Sequence, residues 1–187
     1  MRLLLVWFGL CASVSLFAQQ RFVYRSSEEL QNVEPFTYFL IDSSKTLTFT
    51  QLRQRPDKAF TQNTKSFLNF GNTEYPIWLR IDVENQSKDA LFLTQELHDV
   101  RLLDVYVFDK NDSLRTWQTG AMRPFGTHFL KRSNTVFDIG KAPKRVYLRI
   151  QNTSVYVPLK MGTIQAVSNY LHKYDLLYGA IYGVLLA

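Results

Sequence analysis

Cysteine is nearly missing from this chain of 187 residues: its one example, Cys11, lies in an N-terminal apolar stretch. Nothing after it can form a disulfide or supply a thiol, so stability must come from a packed core. Histidine is scarce as well. His98, His128 and His172 stand far apart, with no spacing such as His-x-x-x-His, so no metal and no cofactor is expected. Blocks of one charge sign are absent too. The 22 Lys and Arg against 16 Asp and Glu give a net charge of +6 that is spread along the chain. That spread argues against nucleic acid and is compatible with an anionic ligand or a lipid surface. There is no internal repeat and no low-complexity segment. A run long enough to cross a bilayer is also lacking at the C-terminal end, where the apolar residues 176–187 would cover about 18 Å of a hydrocarbon core about 30 Å thick.

The two ends carry the apolar stretches that do exist. Met1 and Arg2 precede an apolar segment at 3–14, and Ser15-Leu16-Phe17-Ala18 precedes Gln19, the pattern of a secretory signal cleaved after Ala18. Leu16 is larger than the residue usual at its place, so export is better specified than the cut; an uncleaved anchor is the alternative. With 1–18 removed the net charge is +5, because Arg2 is the only charged residue lost. A helix ending at Ala187 would leave its last carbonyls unpaired in lipid, so the expectation is the front piece of a longer membrane protein, with its β body outside. Ser168 or Asn169 is expected to cap that helix, and Gly179 and Gly183 allow close approach of another helix.

Between the ends the dominant period is two, the mark of strands with one buried face. Ile77, Leu79, Ile81 and Val83 point one way, and Trp78, Arg80, Asp82 and Glu84 the other. Leu103, Val105 and Val107 alternate with Asp104, Tyr106 and Phe108, and Asp109-Lys110-Asn111-Asp112-Ser113 is a hairpin connection. It mimics the start of an EF-hand loop but has Leu114 where glycine is needed. Val146, Leu148 and Ile150 repeat the pattern, as do Val155, Val157, Leu159 and Met161. Eight or nine strands predict an all-β, jelly-roll-like sandwich over 44–166, with a lead-in at 19–43 and the start of a membrane helix at 168–187. Residues 36–40 and 45–52 are read as strands, 54–58 as a polar interruption, and this early region as an edge that packs on the sandwich.

Several pieces in this order carry a resemblance: Tyr75-Pro76-Ile77-Trp78-Leu79-Arg80, Leu102-Leu103-Asp104-Val105-Tyr106-Val107, Thr119-Gly120, Pro124-Phe125, Tyr147-Leu148-Arg149-Ile150 and Leu177-Tyr178-Gly179-Ala180-Ile181-Tyr182-Gly183. From position 44 onward the chain resembles bacterial seven-transmembrane receptors with diverse intracellular signalling modules, and within them the second type of extracellular sensor domain. The resemblance implies a jelly roll related to carbohydrate-binding modules, on the periplasmic or extracellular side of the cell membrane, feeding seven helices and a separate output module. It further implies that these residues are not themselves an enzyme.

The non-core parity of the strands supplies candidate ligand contacts. Trp78, Arg80, Tyr106, Arg149 and Tyr156, with Tyr147 and Lys160 nearby in sequence, suit stacking on a sugar ring or holding an acidic group. Trp117 and the loop Arg123-Pro124-Phe125-Gly126-Thr127-His128 add contacts at a sandwich end. The competing reading is that these aromatics cover outer sheet faces, pack on the N-terminal segment or touch membrane helices. Asp82, Glu84 and Asp104 are the carboxylates that an acid and base pair would use, Asp104 from a neighbouring strand. The expected partners are a small molecule, with carbohydrate the leading class, and the membrane. An exported carbohydrate-active enzyme, an adhesion module and a domain that contacts only a partner protein are the alternatives. In the sensing case, binding would change how 166–175 enters the bilayer.

Overall fold

The alternation at 77–85 becomes β6 (Ile77–Asn85), the strand on which the larger sheet is built. The structure, a computed structural model, describes residues 20–96, 100–124 and 135–186. The expected signal at 1–18, His98, His128 and residues 125–128 of the 123–128 loop lie outside that description. On one side β6 pairs antiparallel with β3 (Thr37–Ile41), which pairs with the short β4 (Thr61–Gln62). On the other side it pairs with β11 (Pro143–Gln151), followed by β8 (Leu102–Asp109) and β9 (Leu114–Thr119). β1 (Phe22–Tyr24) lies parallel to the end of β6 and completes seven strands.

A four-stranded sheet faces it, in the order β10 (Thr135–Gly140), β7 (Leu91–Gln95), β13 (Leu159–Thr163) and β2 (Gln31–Asn32). β5 (Asn69–Asn72) and β12 (Ser154–Tyr156) form a separate two-stranded ribbon. The expected all-β sandwich is therefore present. The strand total among the described residues is thirteen rather than eight or nine, because short pairings such as β2 and β4, two residues each, leave no period to read.

The core lies between the sheets, where Ile77, Leu79, Ile81, Val105, Val107, Val146 and Leu148 meet Leu91, Leu93, Phe137, Ile139, Leu159 and Met161. Each such side chain stabilises the fold by about 2 kcal/mol relative to exposure. Glu34 is the charged exception near this interior. Its carboxylate accepts from the backbone N–H of Leu68 at 2.6 Å and of Leu159 at 3.4 Å, tying the chain before β3 to β13. Burial raises its pKa above the ordinary 4.5, and the two backbone donors only partly oppose that.

Two early expectations need correction. Residues 45–52 do not form a strand: α1 (Phe49–Arg53) begins there, because Thr48 and Gln51 make a reciprocal capping box. The C-terminal helix α2 (Ile164–Leu186) starts before Ser168, since the Thr163 hydroxyl already accepts from Ala166 N–H at 3.2 Å. Its first turns pack Val167 and Leu171 on Phe92 and Val136 of the smaller sheet. Farther on, Leu176, Leu177, Tyr178, Tyr182 and Val184 are exposed. Among the described residues no helix is long and apolar enough to cross a membrane.

Candidate functional site

Strand register decides which candidates share a face. Reading across β3, β6, β11, β8 and β9, one row runs Leu40, Trp78, Arg149, Asp104, Gln118, and the next runs Tyr38, Arg80, Tyr147, Tyr106, Thr116. Trp78, Arg80, Tyr106 and Arg149 thus stand together on the outer face of one sheet. Trp117 and Tyr156 do not join them. Trp117 pairs with Val105 on the inner face and meets the Phe137 ring edge-on at a centroid distance of 6.1 Å. Tyr156 is on the β5–β12 ribbon, 45% exposed.

The outer face is not open, as its polar parity suggested. Trp78 is 0% and Arg80 1% exposed, a correction with a clear cause: residues 42–62 fold across them as a cap. Asp42 starts the cap by accepting from Ser44 N–H and Leu47 N–H through its two oxygens. That turn delivers α1, whose Phe49 ring stacks on Tyr106 at 3.9 Å and also lies against Trp78 and Phe108. Phe60, Leu47 and Leu52 complete a second apolar cluster. The capping box and the apolar Phe49, Leu52 and Phe60 were the sequence signals of a small amphipathic cover; where it would land was not encoded locally.

Beneath the cap the charges are paired. The Arg80 guanidinium lies between the Tyr38 and Phe60 rings and meets Asp57 of the cap at 2.6 Å. Asp82 is 3.6 Å from Arg80 Nε, too far for a hydrogen bond, and takes a 2.5 Å bond from Arg145 Nε. Burial disfavours the Arg145 charge, but the bond and charge of Asp82 outweigh this and raise its pKa. Glu84 lies 3.9 Å from Arg21, and Asp104 2.6 Å from Arg123. The three carboxylates considered for acid and base chemistry are therefore each beside an arginine. β11 also separates β8 from β6, so Asp104 is not on a strand neighbouring Asp82. Among the described residues no cluster of three or more His, Cys, Asp and Glu could hold a metal ion.

At the end of the face away from this network the donors are less well matched. Arg149 is half-buried, its guanidinium 5.9 Å from the Trp78 ring centre. The Trp78 indole N–H is buried without an acceptor among the described residues, an arrangement that costs about 1–3 kcal/mol. Burial, followed by the nearby Asp104 charge, raises the Tyr106 pKa, so its hydroxyl stays protonated at neutral pH. The part of this face that stays accessible beside the cap carries the half-buried Arg149 guanidinium and part of Tyr106.

Residues 34–163 match the family described as 7TMR-DISM extracellular 2. The chain belongs to that family. A search of the curated proteins finds no match. The 7TMR-DISM extracellular 2 match spans the chain from the turn at Glu34 through the end of β13, and α2 lies beyond it. The family is one of receptor extracellular domains, which agrees with the β body lying on the extracellular or periplasmic side.

A second cluster marks the passage from sandwich to helix. Lys160 of β13 pairs with Glu96 at 2.9 Å and donates to the Tyr170 hydroxyl of α2 at 3.2 Å. Glu96 directly follows β7, and its segment leads on to β8, where Asp104 sits. This contact was not legible in the sequence, because Glu96 just past β7, Lys160 on β13 and Tyr170 on α2 meet only through the fold.

Proposed function

We propose that this chain is the ligand-sensing outer domain of a membrane signalling receptor, without enzymatic activity of its own. A small molecule would bind at the outer face of the larger sheet beside the cap, around Arg149 and the accessible part of Tyr106, with carbohydrate the leading class. Arg80 contributes indirectly by holding Asp57 and the cap. The observation that carries the reading is the family match over 34–163, which ends where β13 passes into α2. Binding would shift the strand ends at β7 and β13, and the Glu96, Lys160 and Tyr170 contact would carry the shift into α2 and the membrane.

The test is made in cells that export the full chain with a fluorophore at position 169. Ligand addition from outside is expected to change its emission, and alanine at Arg149 is expected to abolish the change. A β body that protease reaches only after cytoplasmic lysis would refute the location. An unaltered response in the Arg149→Ala variant would refute the face.

A further inference from the structure

The outer face of the larger sheet divides into a charge-balanced part and an unbalanced part. In the balanced part, Arg80 and Arg145 are matched by Asp57 and Asp82, with every contact at 3.8 Å or less. In the other, Asp104 is committed to Arg123, whose guanidinium also donates to the carbonyls of Leu103 at 3.0 Å and Thr119 at 2.9 Å. Asp104 faces Arg149 in strand register, yet the guanidinium of Arg149 makes no ion pair and no hydrogen bond among the described residues, only its approach to Trp78. Among the described residues, two arginines and one aspartate leave a positive charge uncompensated. Beside it sits a buried indole N–H that also lacks an acceptor.

A half-buried guanidinium without an ion-pair partner among the described residues is a site short of negative charge. Neutral hydroxyls would supply acceptors but not charge. A carboxylate supplies both, and its planar oxygens match the guanidinium fork. Resting on the sensing role proposed above, we infer that the ligand carries a carboxylate and that Arg149 seats it, with the accessible part of Tyr106 beside the attached carbon frame.

The test uses the full chain labelled with nitrogen-15 and three probes: D-glucuronate, succinate and D-glucose. Either acid is expected to shift the Arg149 Nε–H and Trp78 Nε1–H signals, and glucose is expected to bind at least tenfold more weakly. Glucuronate binding more tightly than succinate would assign the carbon frame to a sugar acid, and the reverse would assign it to a simple dicarboxylate. The Arg149→Gln variant should bind the acid at least tenfold more weakly and Arg149→Lys should recover part of the loss, while Lys88→Gln, a charge change in a distant turn, should leave binding unchanged. If glucose shifts Trp78 and Tyr106 while both acids are silent, the carboxylate is wrong and the sensing face survives. If no probe shifts any signal on that face, both inferences are overturned; unchanged acid binding in a folded Arg149→Gln chain overturns the carboxylate seat alone.

Discussion

The two faces of the larger sheet are built from the same strands and are buried by different means. The inner face is apolar and meets a second sheet, so its stability comes from many interchangeable contacts such as Leu79, Val105 and Leu148. The outer face alternates rings and charges, and what covers it is a short stretch of chain held by Phe49 stacking and one 2.6 Å ion pair to Asp57. Burial of the first kind follows from composition, whereas the second depends on a few named side chains. The outer cover should therefore be separable from the fold.

Breaking each face in turn would show this. Truncating the inner Leu79 to alanine should cost about 3 kcal/mol by equilibrium denaturation, with loss of the whole β signal in one transition. On the outer face, Phe49→Ala should cost about 2 kcal/mol, and the exposed Trp78 should give a red-shifted emission while the strand spectrum is kept. Equal loss of both signals would mean that the cap is part of the cooperative core. Asp57→Ala is expected to cost about 1 kcal/mol, since the aspartate is largely exposed and Asp82 still faces Arg80.

The smallest effect concerns Glu34. Its pKa is raised in the folded chain, so its ionisation opposes folding: the contribution is most favourable below the unfolded value of 4.5 and is lost as pH climbs through the higher folded value. Melting temperatures of the natural chain and of Glu34→Gln should diverge over that rise, with the natural chain losing stability relative to the variant. Parallel curves would remove Glu34 as the titrating group.

Period two sufficed to sort Ile77 from Trp78 and Leu148 from Arg149, because a strand places alternate side chains on opposite faces whatever its neighbours are. It also placed four of the six candidate residues on one face, once β11 was known to stand between β6 and β8. The same rule failed for exposure. Alternation reports parity and not what lies above it, so it cannot choose between an open Trp78 and Arg80 and the competing reading in which they pack on the N-terminal segment; the structure shows the second, with the cover supplied by residues 42–62. Tyr156 was read as part of the main sandwich, but β12 pairs with β5 through an irregular register that no local pattern announces.

The junction at Thr163 has no slack. One residue closes β13, and its hydroxyl caps the helix that follows, so strand and helix meet without a linker to absorb rotation. Each α-helical residue advances about 1.5 Å and turns about 100°, which makes this joint act like a fixed gear. Inserting a single residue there would swing Tyr174, Leu177 and Tyr178 away from their present bearing, and inserting four would bring them nearly back into phase.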